Sequence, residues 1–238
     1  MIELFYSSSP NVYKVMIGLE ELGLPYDLVF VDLSKGEQFD PARLGGAPTA
    51  KVPVIRDRAP GDGEGPVTVF ESGAILQYLA EKTRRLLPAD TRGRSETMQW
   101  LFWQMANLGP IGGQFWHFRM FAPRLEPETD FTYPQHRYSR MFDALRDVMD
   151  RRLAEIDYLA GAYSIADIAC FPWIKYLGAG EGRPNLARWH DVIAARPAVA
   201  AAYRRNTEFK TGYERNERGG VAYPFEDLAK HTLVGGAG

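Results

Sequence analysis

Apolar and polar residues follow two different periods along this chain, and the period changes where glycine and proline cluster. Ile2-Glu3-Leu4-Phe5-Tyr6 is a short run of β-formers, broken by three serines and Pro10. Val12, Val15, Met16, Leu19 and Leu22 then recur at helical spacing, and Gly23 supplies a stop. Residues 26–31 read as a second strand. Residues 52–56 and 67–70 read as two more, around the turn-rich stretch Pro60-Gly61-Asp62-Gly63-Glu64-Gly65-Pro66, which predicts an exposed hairpin loop. Ala74, Ile75, Tyr78 and Leu79 open the next helical face.

The order β-α-β followed by β-β-α is that of a thioredoxin-like α/β domain with a mixed sheet. From about Arg92 onward the pattern is helical throughout, which predicts a second, all-α domain. Met98, Leu101, Phe102 and Met105 form one stripe, which Pro110 with Gly112-Gly113 is expected to kink or break. Tyr138, Met141, Leu145, Val148, Met149 and Leu153 form another. Ser164-Ile165-Ala166-Asp167 reads as a variant capping box at the start of a buried helix that Pro172 bends. Residues 186–194 and 198–203 complete a helical bundle. The expected division is 1–87 for the α/β domain, 92–205 for the helical one and 206–238 for a C-terminal extension. That extension carries Phe209, Tyr213, Tyr223 and Phe225, too many aromatics for a free tail. It is expected to pack on the protein's surface or toward a partner subunit, with residues 235–238 disordered.

Composition narrows the function more than the fold. The 238 residues are 45% hydrophobic and 24% charged with a net charge of −2, ordinary for a soluble globular protein. That balance gives no bulk attraction to nucleic acid or to an anionic membrane. The start lacks the basic region and apolar run of a signal peptide, and no apolar run approaches a membrane span, so the expectation is cytoplasmic. The single cysteine, Cys170, excludes an intramolecular disulfide and any Cys-x-x-Cys redox or zinc motif. It lies in an apolar helix and reads as an inert small hydrophobe.

Two stretches hold candidate chemistry. Lys51-Val52-Pro53-Val54-Ile55 enters a strand through a proline, and an X-Pro bond can be cis at modest cost. A bend there leaves the Val52 N–H and C=O able to pair with an extended peptide. Phe70-Glu71-Ser72-Gly73-Ala74-Ile75 opens a helix, whose first N–H groups and serine hydroxyl suit a carboxylate. Together they describe a peptide held by its backbone at one point and its carboxylate at another.

These stretches resemble the glutathione-binding half of the glutathione transferases, and the resemblance covers roughly residues 1–205. It is nearest to the Nu-class / Ure2-like branch, through Ser9-Pro10-Asn11, Lys35-Gly36-Glu37-Gln38-Phe39, the Phe70 to Ile75 segment, the run Gln99 to Gln104 and the run Tyr163 to Cys170. It implies that glutathione, reduced or oxidised, is the co-substrate. Glutathione reacts as its thiolate, whose parent thiol has a pKa near ~8.5, so donors around the sulfur are needed. Tyr6, Ser7, Ser8, Ser9 and Asn11 are the donors available, and the resemblance selects Ser9 and Asn11. Capping of the first helix is the alternative role for both. Tyr6 sits within the strand pattern and reads as packing.

By the same resemblance Gln38 and Lys51 hold the glycine end or nearby backbone, Val52 with Pro53 the cysteinyl backbone, and Glu71 with Ser72 the γ-glutamyl group. Ala47-Pro48-Thr49-Ala50 departs from the usual turn before the proline. Arg137 aligns with an arginine that reaches the bound thiol or a second glutathione. Gln114, Trp116 and His117, with Phe115 and Phe118, are candidates for the acceptor side, although so dense an aromatic cluster is also the composition of a core. The expected activity is disulfide reduction or transfer to an electrophile by a homodimer acting on a small disulfide or electrophilic substrate. The alternatives are a weakly catalytic interaction or regulatory protein of this fold, and a dehalogenase or ether-cleaving relative.

Overall fold

A computed structural model of the chain describes residues 1–217, with side chains as far as Phe209. The side chain of Tyr213, and Tyr223, Phe225 and residues 235–238 altogether, on which the sequence raised expectations, lie outside what is described. The chain divides into two compact units, one of residues 1–75 joined by the segment from Pro197 onward, the other Leu76–Arg196.

In the first unit, β1 (Ile2–Tyr6), β2 (Tyr26–Phe30), β3 (Val54–Asp57) and β4 (Val67–Phe70) form one mixed sheet in the order β2-β1-β3-β4. β1 runs parallel to β2 and antiparallel to β3, and β3 runs antiparallel to β4. A parallel pair needs a crossover, and α1 (Pro10–Leu22) supplies it. Ser9 caps α1, Pro10 occupies its first turn, where a missing N–H costs nothing, and Gly23 ends it at φ 67. Along α1, Val12, Val15, Met16 and Leu19 are buried, as their spacing requires. The strand expected from residue 52 begins instead at Val54. Phe5, Val31, Leu44, Ala47 and Val54 form a core cluster against which Val29, Leu33 and Val52 pack.

The long connection after β2 lies over that cluster, and Gly45 lets it approach. At φ 60, a Cβ there would stand 3.0 Å from Cε2 of Phe5. α9 (Pro197–Glu217) belongs to this unit and runs across the expected boundary at 205/206. Tyr203 stacks on Tyr13 at 4.1 Å, Phe209 meets Tyr6 at 5.5 Å and Phe30 at 6.0 Å, and the Arg205 guanidinium lies 3.9 Å from the Tyr26 ring. The Asn206 amide donates to the Tyr13 hydroxyl. The described part of the aromatic extension is therefore a helix docked on the α/β unit.

In the second unit, α3 (Thr91–Trp103) continues through a π-turn at Gln104–Leu108 into α4 (Gly109–Trp116). A second π-turn at His117–Phe121 leads into α5 (Ala122–Leu125). Of the kink or break expected at Pro110, no break occurs: the residues stay helical, with the widened turn directly ahead of the proline, which has no N–H to donate. Gly112 serves packing instead, since a Cβ there would come 2.9 Å from Cε3 of Trp173. α6 (Thr132–Glu155), α7 (Ile165–Leu177) and α8 (Pro184–Ala194) complete the bundle. α7 is buried from Ile165 through Ile174, Pro172 and Cys170 included.

The capping box at the start of α7 is complete, with Ser164 as the cap and Asp167 reaching back. Asp167, fully buried, also accepts from the Leu159 N–H at 3.0 Å and from Trp189 Nε1 at 2.8 Å. Among the described residues no helix is long and apolar enough to cross a membrane.

Candidate functional site

Strand register gathers the candidate residues of the first unit. Phe5 pairs with Val54, and Val54 pairs with Phe70, so the exit of β1, the entry to β3 and the exit of β4 share one end of the sheet. Tyr6 pairs with Phe30 in parallel, so β2 also exits at that end. Four segments leave or enter there: residues 7–11, 31–45, 51–53 and 71–72. They carry Ser9 and Asn11, Gln38, Lys51 to Pro53, and Glu71 with Ser72. Positions up to 65 residues apart in sequence become neighbours through the ladder alone.

Ser9 and Asn11 occupy the N-cap and first turn of α1. The Ser9 hydroxyl accepts from the Val12 N–H at 3.4 Å, and its carbonyl accepts from Val12 and Tyr13 at 3.1 Å each. Capping occupies one lone pair of the hydroxyl and none of its donor capacity. The cap and the thiol donor, alternatives in sequence terms, are therefore chemically compatible. The positive end of α1 adds to the attraction for an anion.

Tyr6 is a different case. It is 1% exposed and held between Phe30 and Phe209, and burial raises its pKa well above that of a free phenol. It stays protonated and packs, as its place in the strand pattern implied.

Gln38 is buried in a short 3-10 turn, and hydrogen bonds tie together the loop ahead of it. Asp32, fully buried, accepts from the Ser34 N–H at 3.0 Å and the Ser34 hydroxyl at 2.6 Å, while its own N–H donates to Glu37 at 2.8 Å. Lys51 is exposed. The Val52–Pro53 peptide bond is cis, and Val52 precedes the ladder, which starts at Val54.

At α2 (Ser72–Thr83) the Glu71 carbonyl accepts from the Ile75 N–H at 2.9 Å. The N–H groups of Ser72, Gly73 and Ala74 are thus those that a helix start leaves without an intrahelical acceptor. Ser72 is 5% exposed, and its hydroxyl accepts from the Lys14 ammonium of α1 at 3.3 Å. Glu71 has φ 68, in the left-handed region that only glycine enters without cost. Glu71→Gly is accordingly expected to raise the unfolding free energy by about 1 kcal/mol, read from urea melts. A drop would mean that the side chain, not the backbone, holds the conformation.

The second unit carries the remaining candidates. Arg137 is exposed near the start of α6, and Gln114 is exposed on α4. Trp116 is half-buried against Tyr176 at 4.8 Å. His117 opens the second π-turn, 5.0 Å from Phe118, which in turn stacks on Tyr138 at 5.5 Å. Burial lowers the His117 pKa, with Glu126 opposing, which favours the neutral imidazole, a proton acceptor. Sequence reasoning missed both π-turns, since a one-residue widening leaves no mark in a helical period. It also missed Lys14, which beside an apolar stripe reads as a solvated charge.

The chain is similar to known proteins over most of its length. Residues 8–82 match the family model described as "Glutathione S-transferase, N-terminal domain". The disulfide-bond oxidoreductase YfcG of Escherichia coli (strain K12) is 44% identical over 207 residues, covering 85% of this chain and 94% of that protein. A glutathione transferase family member from Pseudomonas fluorescens Pf-5, solved with two glutathione bound, gives a TM-score of 0.78 at 39% identity, covering 84% of this chain and 91% of that one. A glutathione transferase from Pseudomonas putida, with one glutathione disulfide bound per subunit, gives 0.76 at 37% identity, covering 84% and 90%.

Proposed function

The chain belongs to the glutathione transferase family, and from that premise we propose that it acts chiefly as a glutathione-dependent disulfide reductase. The observation that carries this reading is the convergence of the four segments on one end of the sheet. They bring hydroxyl and amide donors, an unladdered backbone position and a helix N-terminus to one place. A tripeptide with a thiol in the middle and a carboxylate at each end fits that set.

In the proposed roles, Ser9 and Asn11 donate to the glutathione sulfur and favour the thiolate. Val52 pairs with the cysteinyl backbone, Gln38 and Lys51 hold the glycine end, and Glu71 with Ser72 hold the γ-glutamyl end, so Glu71→Gly should lose glutathione affinity while gaining stability. Arg137, Gln114, Trp116 and His117 are assigned to the acceptor or second glutathione.

The thiolate attacks one sulfur of the substrate disulfide. One substrate thiol leaves with a proton, and a mixed disulfide remains. A second glutathione thiolate attacks the glutathione sulfur of that mixed disulfide, giving glutathione disulfide and the second substrate thiol. No protein thiol takes part, because the chain's one cysteine, Cys170, is fully buried. Two electrons pass from two glutathione molecules to one disulfide, so the balance closes without another reductant.

Calorimetric titration with reduced and oxidised glutathione, followed by a hydroxyethyl-disulfide reductase assay, tests the reading. Binding of the oxidised form with turnover supports it. Binding without turnover favours conjugation or a regulatory role, and no binding of either form leaves only the fold. The same proposal includes a cytoplasmic homodimer. Gel filtration with light scattering should give twice the 26.8 kDa chain mass, and a monomer at micromolar concentration would count against it.

A further inference from the structure

α9 returns from the far end of the chain and holds the Ser9 segment on both sides. Residues 7–12, which carry Ser9 and Asn11, run between Tyr6 at the end of β1 and Tyr13 near the start of α1. Tyr203 of α9 stacks on the Tyr13 ring at 4.1 Å, and the Asn206 amide donates to the Tyr13 hydroxyl. About one turn further on, Phe209 meets Tyr6 edge-on at 5.5 Å. The Tyr13 N–H donates to the Ser9 carbonyl at 3.1 Å, so the residue that α9 holds is itself tied to the cap. Burial raises the pKa of both Tyr6 and Tyr13, and the Ser8 hydroxyl, within the segment, opposes it.

Packing alone does not explain Asn206. It is 5% exposed, in a place where an apolar side chain would fill the space without stranding a polar atom. Its Oδ1 is buried with no hydrogen-bond partner among the described residues, which costs stability. What the amide supplies in return is direction: a hydrogen bond fixes angle and distance, whereas apolar burial is non-directional. The amide therefore sets where the tip of the Tyr13 ring sits, and the ring belongs to the turn that the Ser9 cap closes. This contact is separable from the docking of α9 as such. The Arg205 guanidinium of the same helix lies 3.9 Å from the Tyr26 ring, and Tyr26 pairs with Ile2, at the opposite end of the sheet.

We propose that Asn206 is a positioning residue for thiol activation. Through Tyr13 it fixes residues 7–12, and so holds the Ser9 and Asn11 donors on the glutathione sulfur. The inference rests on the glutathione reading above and deepens it. It adds a residue that touches no ligand atom and lies 193 positions along the chain from its partner.

The test uses the full chain. Two substitutions remove the same hydrogen bond from opposite sides: Asn206→Leu, which also removes the stranded oxygen, and Tyr13→Phe, which keeps the ring on Tyr203. In each, the pKa of the bound glutathione thiol is expected to rise by about one unit, a tenfold change in the thiolate equilibrium, read from thiolate ultraviolet absorbance in the binary complex. Disulfide reductase turnover below that pKa should fall roughly 10-fold, since small misplacements of positioned groups carry costs of that order, while glutathione affinity changes far less. The double variant should lose no more than either single one, because one bond underlies both effects. Arg205→Met, which loosens α9 at the other end of the sheet, should lower stability in urea melts and leave the thiol pKa where it was.

A merely structural Asn206 would shift the melts without moving the thiol pKa. An equal pKa rise in Arg205→Met would make the effect one of α9 docking in general, and full additivity in the double variant would mean two separate causes. Any of these results overturns the proposal. Should Asn206→Leu fail to fold, Tyr13→Phe carries the test. If the wild type binds no reduced glutathione, the glutathione reading itself falls and takes this inference with it. If the wild type binds it and the thiol pKa survives both substitutions, only the role of Asn206 falls.

Discussion

Asn11→Ala and Ser9→Ala are each expected to lower disulfide reductase turnover by about 100-fold, the scale of losing one donor aimed at a developing or resident anion. The cause is the protonation state of the bound thiol. Donors to the sulfur favour the thiolate and pull the pKa down from about 8.5; with a donor removed, the pKa climbs back, and each unit regained is worth about 1.4 kcal/mol. The acid limb of the pH–rate profile should therefore move to higher pH in both variants, and activity should recover in part as the pH is raised. A fall in turnover without that displacement would mean that the residue positions substrate rather than activates sulfur.

The two variants should differ in stability. Ser9 also accepts from the Val12 N–H, so Ser9→Ala gives up a helix cap worth about 1 kcal/mol. Ser9→Thr keeps both functions and should restore both readouts. If Ser9→Ala is inactive and Asn11→Ala fully active, the serine carries activation alone. If both retain full activity, the thiol site lies elsewhere.

The largest stability effect is expected at Asp167. Its carboxylate takes the Leu159 N–H and the Trp189 indole on one oxygen, and the Ser164 N–H and hydroxyl on the other, at 2.8–3.4 Å. Asp167→Ala strands these donors in the interior of the second unit, at a cost of about 4 kcal/mol. Asp167→Asn is expected to fare nearly as badly, because an amide nitrogen would face one pair of donors with a donor of its own. Thermal and urea melts check this, and a loss under 1 kcal/mol would show that the site relaxes around the vacancy.

The pH dependence has a definite sign. Burial, outweighing the hydrogen bonds from Leu159, Trp189 and Ser164, pushes the Asp167 pKa up from 3.8 to about 6. Between those values the folded state binds the proton more readily than the unfolded one. This group's contribution therefore makes stability rise as the pH falls through about 6 and level off below about 4. Compared with Asp167→Ala, which lacks the titrating group, the wild type should gain stability between pH 7 and pH 5. The opposite trend would mean that the hydrogen bonds outweigh burial.

How much of this was legible in the chain depends on distance along it. β1 was read at its observed bounds, and so were the α1 stop at Gly23 and the α7 capping box, because each is set by contacts within a few residues. The segments carrying Ser9, Gln38, Val52 and Ser72 were recognisable one by one, and their resemblance to a known family linked them. The start of β3 was misplaced by two residues, since Val52 is as β-prone as Val54 and only pairing with Phe5 and Phe70 separates them. The unbroken run through Pro110 could not be told from a break in sequence, because proline and glycine signal either, and the π-turn ahead of them leaves no mark in the helical period.

By itself, then, the sequence determined the order and type of the elements, the caps that bound them and the residue types available for glutathione chemistry, all of which rest on short-range propensity and periodicity. Tertiary structure decided the rest. Strand register brought four separate segments to one end of the sheet, α9 returned from the far end of the chain to cover Tyr6 and Tyr13, and Lys14 was buried beneath Ser72. Each of those outcomes depends on partners tens of residues or more away, and burial and charge take their meaning from such partners rather than from neighbours in sequence.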